Sequence, residues 1–472
     1  MKRCFGIGPE ALGDQGRRAG TCIMPQVSAS PFPTDSRDGL RLLYLAQLVP
    51  YPPDSGTRWA IHENLSYLAP RHQVRLVCRD DGEASAGAVR GLQQLGCREV
   101  IPCDRDHLGD WAPRSYLTSG FLRACLTSPA LQRLLPPLCK WAEIIQVEHP
   151  EMALNLLSVL RALRPGQRPP VVLRLHDVMS VFLAERAMYG RPSTGLVRRV
   201  CPPAIRSAFL RRRAAQYRRL ERGICESVDA VVVLSGEDED TVRRLAPRAR
   251  VVHIPLGADF QLPATPGRHP GDGGTRTLTF VGKMIWSPNA DAAMHLVRDI
   301  MPRLSDLDLR VLIVGKDPSP ELQSFDDGER VRVMGYVPDV QAVWQTTDIA
   351  VVPVWYGTGV KIKTLDAMVH GIPVVAYPAG WRGVAATPGV DFLEARTPTE
   401  FAHHVRQLLV DPELSRRIAG NGRRAVAERH SLSSAGDRLE ALYAELLAAK
   451  DDLLRGIADR GSAGSRNRSA FL

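Results

Sequence analysis

Lysine is almost missing from this chain: of 61 basic residues, seven are lysine and the rest are arginine. Long apolar runs are missing too, and none approaches the roughly 20 residues that a bilayer-spanning helix needs. The start, MKRCFGIGPEALGDQGRRAG, is basic but has no continuous apolar core, so it does not read as a secretory signal. Cysteine pairs are absent: the nine cysteines are scattered between Cys4 and Cys225 without a C-x-x-C pair. That pattern fits reduced thiols in a cytosol better than a disulfide framework or a zinc site. No D-x-D motif stands in a suitable loop, and SGEDED (235–240) reads as a capped, acid-rich helix start. Neither a catalytic metal nor a cofactor is therefore expected.

What remains is a globular composition, 44% apolar and 24% charged, in a chain long enough for two domains of about 200 residues. Residues 1–39 lack periodicity and read as a disordered leader. From Arg41, apolar runs of strand length alternate with stretches of helix length: RLLYLAQLV, HQVRLVC, REVIPC, WAEIIQV, PPVVLRLHD, VDAVVVLS and ARVVHIPLG. QLPATPGRHPGDGGTRT (261–277) reads as a linker. Alternation then resumes through LTFVG, DLRVLIVG, ERVRVMG, DIAVVPV and IPVVAY. This texture predicts two doubly wound, Rossmann-like α/β domains, 40–260 and 278–430, each with a parallel sheet buried on both faces. Ligands of such sheets bind at the carboxyl ends of the strands, so the site is expected in the cleft between the domains. A helical region follows, with 456–472 expected to be a disordered tail.

The net charge is +10, and the segment 191–222 concentrates it, dense in arginine with Glu221 as its single acid. A solvated helix explains it; the alternative is an anionic membrane surface or a phosphorylated acceptor. With only Phe209 and Tyr217 as interleaved aromatics, nucleic acid is not expected as a partner.

Two of the seven lysines fall within WYGTGVKIKTLDAMVHGIPVV (355–375). A strand delivers the chain to Gly357-Thr358-Gly359, and a helix should begin near Val360. Helix N-termini suit phosphates, and glycines let a backbone approach them. Lys361 or Lys363 could add charge, and Asp366, one turn beyond Lys363, could accept from a ribose diol. The plainer alternative is an i, i+3 surface ion pair between Lys363 and Asp366.

GTGVKIKTLDAMVHGIPVVAY resembles the donor-site signature of GT-B glycosyltransferases, in particular family four, whose helix reads K-x-L-E-A-M-A-x-G-x-P-V-V. The resemblance implies that Asp366 binds the ribose of a nucleotide sugar. It also implies a glutamate where Thr358 stands, so half of the family's paired-glutamate motif is missing. A second match, FVGKMIWSPNADAAM, places Gly282 and Lys283 at a strand end where members contact the diphosphate. Asn289 stands there in place of a lysine and is expected to cap a helix. In VMGYVPDVQAVWQTTDIAVVPV, Gly335 and Val337 correspond to positions near the base. Val360 joins the loop residues as a donor contact.

In the first domain, VPYPPDSGTRWAIHENLSYLA resembles the family's first strand, loop and helix, which implies Gly56 at the diphosphate and Thr57 and Arg58 at the acceptor. An ordinary turn with Asp54 or Ser55 capping the helix serves equally. His149 and His176 end strand-like runs and should face the cleft, His149 as an acceptor-side candidate, and the resemblance gives His176 a hydrogen bond to the donor sugar. The family implies a GT-B fold whose last helix, 431–449, crosses back to the first domain. It implies transfer of a sugar from a nucleotide diphosphosugar to an acceptor glycan, lipid-linked sugar or small molecule. Retention of configuration is implied, with Lys283, Lys363 and the helix N-terminus neutralising the leaving diphosphate. A nucleotide-sugar 2-epimerase and a non-catalytic nucleotide-sugar-binding protein are the alternatives. The expected place is the cytoplasm, peripheral at the inner membrane face.

Overall fold

The computed structural model describes residues 39–80, 82, 85–103, 127–190, 202–259 and 275–466, with residues 456–466 as backbone alone. The expected leader up to residue 38, linker residues 261–274, the stretch 191–201 and the last six residues lie outside the described residues.

Short apolar runs become short parallel strands. In the first sheet these are β1 (Arg41–Ala46), β2 (Gln73–Arg79), β3 (Glu99–Cys103), β4 (Ile144–Glu148), β5 (Val171–Leu175), β6 (Ala230–Val233) and β7 (Val251–His253), in the order β3-β2-β1-β4-β5-β6-β7. The second holds β8 (Arg276–Val281), β9 (Leu309–Val314), β10 (Val331–Gly335), β11 (Ile349–Val352), β12 (Val374–Ala376) and β13 (Leu393–Glu394), in the order β10-β9-β8-β11-β12-β13. All pairings are parallel. Central strands β4, β5, β6 and β11 are buried at every residue, which is why β6 and β11 read as unbroken apolar runs rather than alternating ones, while β4 and β5 also bury Gln146, Glu148 and Arg174. Both sheets are doubly wound, and the strand order reverses between β1 and β4 in one and between β8 and β11 in the other. This is the GT-B α/β architecture. Arg276 and Thr277 open β8, so they belong to the second sheet rather than to the linker.

Seven helices matter below: α1 (Gly56–Leu68), α2 (Pro150–Leu160), α3 (Met179–Tyr189), α4 (Pro203–Cys225), α5 (Ser287–His295), α6 (Ile362–Val369) and α7 (Leu432–Arg466). Helix α7 buries Leu439, Leu442, Tyr443 and Leu446 in the core on one face of the first sheet. Polar contacts fix its register: Tyr443 donates to Gln146 Oε1 at 2.8 Å, and Tyr67 to Asp437 Oδ1 at 2.5 Å. Helix α7 runs on to Arg466, past the point at 456 where a disordered tail is expected. Its sequence there keeps isoleucine, alanine and arginine and has no proline to stop it.

Candidate active site

Strand β11 runs out at the second switch point into Trp355-Tyr356-Gly357-Thr358-Gly359. Two aromatics anchor this loop on α5. Trp355 stands edge-on to His295 with ring centroids 5.1 Å apart, and buried Tyr356 donates to Asp291 Oδ2 at 2.6 Å. Gly357 and Gly359 adopt φ of +112° and +76°. At Gly359 a Cβ would sit 2.5 Å from Asp177 Oδ1 and 2.8 Å from the His176 carbonyl oxygen. Glycine here is thus a condition for the loop to touch the first domain.

That contact is polar. Thr358 Oγ1 donates to Asp177 Oδ1 at 3.0 Å, and the Gly357 N–H to Glu185 Oε2 at 2.7 Å. Arg382 closes the group, reaching Glu185 Oε1 at 3.2 Å and the Gly357 carbonyl at 3.1 Å. Phe182 of α3 stacks on Trp286 of the second domain with centroids 4.4 Å apart. Lys316 Nζ lies 2.6 Å from Asp54 Oδ2, a further bridge between the domains.

The two lysines have different jobs. Lys361 is turned back on its own loop, donating to the carbonyls of Thr358 at 2.7 Å, Gly359 at 2.8 Å and Gly357 at 3.3 Å. An ammonium has three donors, so Lys361 shapes the loop and has none left for the donor contact expected of it. Burial lowers its pKa to about 8, although the Asp177 charge pulls the other way.

Lys363 faces the crevice between β8 and β11. Its Nζ lies 2.5 Å from Asn289 Oδ1 and 4.6 Å from the centre of the Phe280 ring. It occupies space open only because residue 282 is glycine: a Cβ there would be 2.7 Å from Nζ. Burial, aided by the Lys361 charge, lowers Lys363 to about 7. The surface ion pair with Asp366, the plainer alternative, does not form. Asn289 does not cap α5 either. Trp286 holds the N-cap position, while Asn289 sits inside the first turn and donates from Nδ2 to the Lys283 carbonyl at 3.0 Å. The Lys283 side chain is exposed, with no hydrogen bond or ion pair among the described residues.

Asp366 accepts from Trp344 Nε1 at 2.8 Å and lies 3.5 Å from His370 Nδ1, with its side chain 34% exposed. Burial raises its pKa, with His370 and Trp344 opposing the rise. Val360 is half-buried against the second-domain core, and Val337 packs with Leu312, Val314 and Val343. The Gly335 carbonyl accepts the Gly315 N–H at 2.7 Å. Among the described residues, the N–H groups of Gly359 and Val360 donate to no backbone carbonyl. With Lys363 and the N-terminus of α6, they suit an anion.

Across the cleft, His149 and His176 follow β4 and β5 and stack at 4.3 Å, 6° from parallel. His176 Nε2 lies 2.5 Å from Glu148 Oε2, and Tyr44 donates to Glu148 Oε1 at 2.5 Å. Burial works to raise the Glu148 carboxyl, but Arg174, His176 and Tyr44 outweigh it and hold the pKa at about 2. His149 adopts φ of +72°, and its buried Nδ1 has no hydrogen-bond partner among the described residues. Burial, reinforced by His176, keeps His149 neutral far below its ordinary pKa. It therefore serves as a buried neighbour of His176 rather than an open acceptor contact.

At the first switch point Gly56 is exposed, and a Cβ on it would approach Ile362 Cδ1 of α6 to 3.3 Å. Thr57 is half-buried. Arg58 is not open to an acceptor: it is buried and paired with Asp54 Oδ1 at 2.8 Å. Neither alternative cap operates, since Ser55 holds the N-cap position without a side-chain bond and Asp54 binds Arg58 and Lys316. Sequence reasoning missed Asp177, Glu185, Arg382 and Trp344. Only Asp177 carried a signal, following His176 directly at the end of β5.

Comparison with known proteins follows these two halves. A family model described as "Glycosyl transferase 4-like domain" matches residues 55–257, and one described as "Glycosyl transferases group 1" matches residues 275–411. A D-inositol 3-phosphate glycosyltransferase of Corynebacterium diphtheriae is 26% identical over 321 residues, 63% of this chain and 69% of the relative. An alpha-D-kanosaminyltransferase of Streptomyces kanamyceticus is 27% identical over 299 residues, 59% of this chain and 71% of the relative. Among solved structures, the sucrose-phosphate synthase of Thermosynechococcus elongatus superposes with a TM-score of 0.61 at 18% identity, over 87% of this chain and all of that one. Anabaena HepE in complex with UDP and glucose gives 0.59 at 14%, over 86% of this chain and all of that one.

Proposed function

The chain belongs to the group 1 glycosyltransferases, and from that premise we propose that it moves a sugar from a nucleotide diphosphosugar to an acceptor hydroxyl, with retention of configuration and without a metal. The carrying observation is Lys363, a half-buried ammonium held by Asn289 at the β8–β11 switch point, one helical turn from Asp366. The diphosphate lies against Lys363, exposed Lys283 and the N–H groups of Gly359 and Val360, which no backbone carbonyl accepts among the described residues, and these take up the charge that develops as the sugar leaves. Asp366 accepts from the ribose, and His176, fixed by Glu148, faces the sugar. Contacts between the domains keep water from the donor, whose hydrolysis competes with transfer.

Isothermal titration with UDP, TDP and GDP and their sugars, followed by donor-hydrolysis assays, tests this reading. Binding with slow release of free sugar is expected. Conversion of the donor to its 2-epimer without any acceptor would instead identify an epimerase.

Exposed residues of α3 and α4 support an anionic membrane surface as partner, and with it a cytoplasmic place at the inner face and a lipid-linked acceptor. The two helices pack together and present Met188, Tyr189, Ile205 and Phe209 to solvent. Arg211, Arg212, Arg218 and Arg219 are exposed along α4. Its single acid, Glu221, is buried and accepts from Ser180 Oγ at 2.5 Å. Apolar side chains beside exposed arginines suit a headgroup layer. Among the described residues no helix is long and apolar enough to cross a membrane. Vesicles containing phosphatidylserine should pellet the protein, and equal pelleting with neutral vesicles would end this proposal.

A further inference from the structure

The loop that should meet the donor sugar carries no acid of its own, because Thr358 stands where the family has a glutamate. A sugar ring presents hydroxyl donors and needs an acceptor, best a carboxylate in a partly dry site. Among the described residues, two carboxylates of the first domain hydrogen-bond this loop. Glu185 is committed on both oxygens, to the Gly357 N–H and to Arg382. Asp177 is not. Its Oδ1 accepts from Thr358 at 3.0 Å, and no hydrogen bond reaches its Oδ2 among the described residues. The group is half-buried, and the cation behind it, Lys361, spends its donors on loop carbonyls. Asp177 follows His176 directly, so the residue expected to face the sugar and this free carboxylate oxygen leave β5 together.

We infer that Asp177 supplies, from the opposite domain, the carboxylate that reads the donor sugar's hydroxyls in place of the missing acid at Thr358. The inference rests on the donor site proposed above. It makes recognition of the sugar depend on apposition of the domains, since nucleotide and sugar are then held by different sheets. Gly359 is the accommodation on the other side, because any Cβ there would strike Asp177.

The test titrates the full chain, as wild type, Asp177→Asn and the double variant Asp177→Ala with Thr358→Glu, with UDP, TDP and GDP and with their hexose conjugates. For D177N, affinity for the sugar conjugate should fall roughly 10- to 100-fold, with affinity for the nucleoside diphosphate unchanged. The double variant, which returns a carboxylate from the loop side, should recover part of the loss. An equal fall for diphosphate and sugar conjugate would make Asp177 a loop clasp and overturn the inference while leaving the donor site standing. Unchanged binding of the sugar conjugate would overturn it as well. A wild type that binds no nucleotide would remove the donor site and the inference together.

Discussion

Lys363 of α6 and Asn289 of α5 meet at 2.5 Å, although 74 positions separate them in the chain. Their meeting fixes the Lys363 ammonium beside the end of β8. This ammonium is held near neutrality by burial, at a pKa of about 7, so an incoming diphosphate should re-protonate it.

Donor binding should therefore take up protons. An anion beside Lys363 raises its pKa, so between about 7 and the higher value of the complex the bound state holds more protons than the free state. Affinity should fall as pH rises through this window, by up to about tenfold per unit. Calorimetry at about pH 8, inside that window, in two buffers of different ionisation enthalpy measures the uptake. K363M should abolish it and weaken binding roughly 10- to 100-fold. Binding that does not change with pH would exclude Lys363 from the diphosphate site.

Gly359 offers a steric test. In G359A the new methyl meets both the positive φ and the Asp177 carboxylate, and a strained backbone position of this kind costs about 1–3 kcal/mol. The loop should shift away from the first domain. Donor hydrolysis should drop about 100-fold, as expected for misplacement of reacting groups by about an ångström. Thermal unfolding should move by a few degrees at most.

Tyr443 tests the anchoring of α7. Y443F leaves the buried Gln146 Oε1 without its donor, at a cost of about 1–3 kcal/mol. Urea denaturation should show that loss, while affinity for the nucleoside diphosphates stays at the wild-type value because Lys363 and Asp366 belong to the second domain.

Among the described residues, twelve of the thirteen strands were legible in the sequence, since strands of a parallel sheet are mostly short apolar runs, and a turn of Gly or Pro ends most of them. Two-residue β13 carried too little pattern to read. Gly357 to Asp366 was legible as a glycine turn running into a helix because its parts are local. What was not legible is contact across the cleft. Thr358 and Asp177 are 181 positions apart, and Arg382 and Glu185 are 197 apart, and no local rule joins such pairs. Asn289 shows the same limit from the other side. Its residue type and its place directly after Pro288 fit an N-cap, but a distant lysine determines what its side chain does.

The most direct test of the donor site is calorimetric titration of the nucleoside diphosphates into the wild type and into D366A. Asp366 should supply the ribose contact, so the best-binding nucleoside diphosphate should lose affinity by about tenfold or more in D366A, the value of a hydrogen bond to a charged group. The fold should remain intact by thermal melt. Equal affinity for wild type and D366A would contradict a nucleotide site at the β8–β11 switch point.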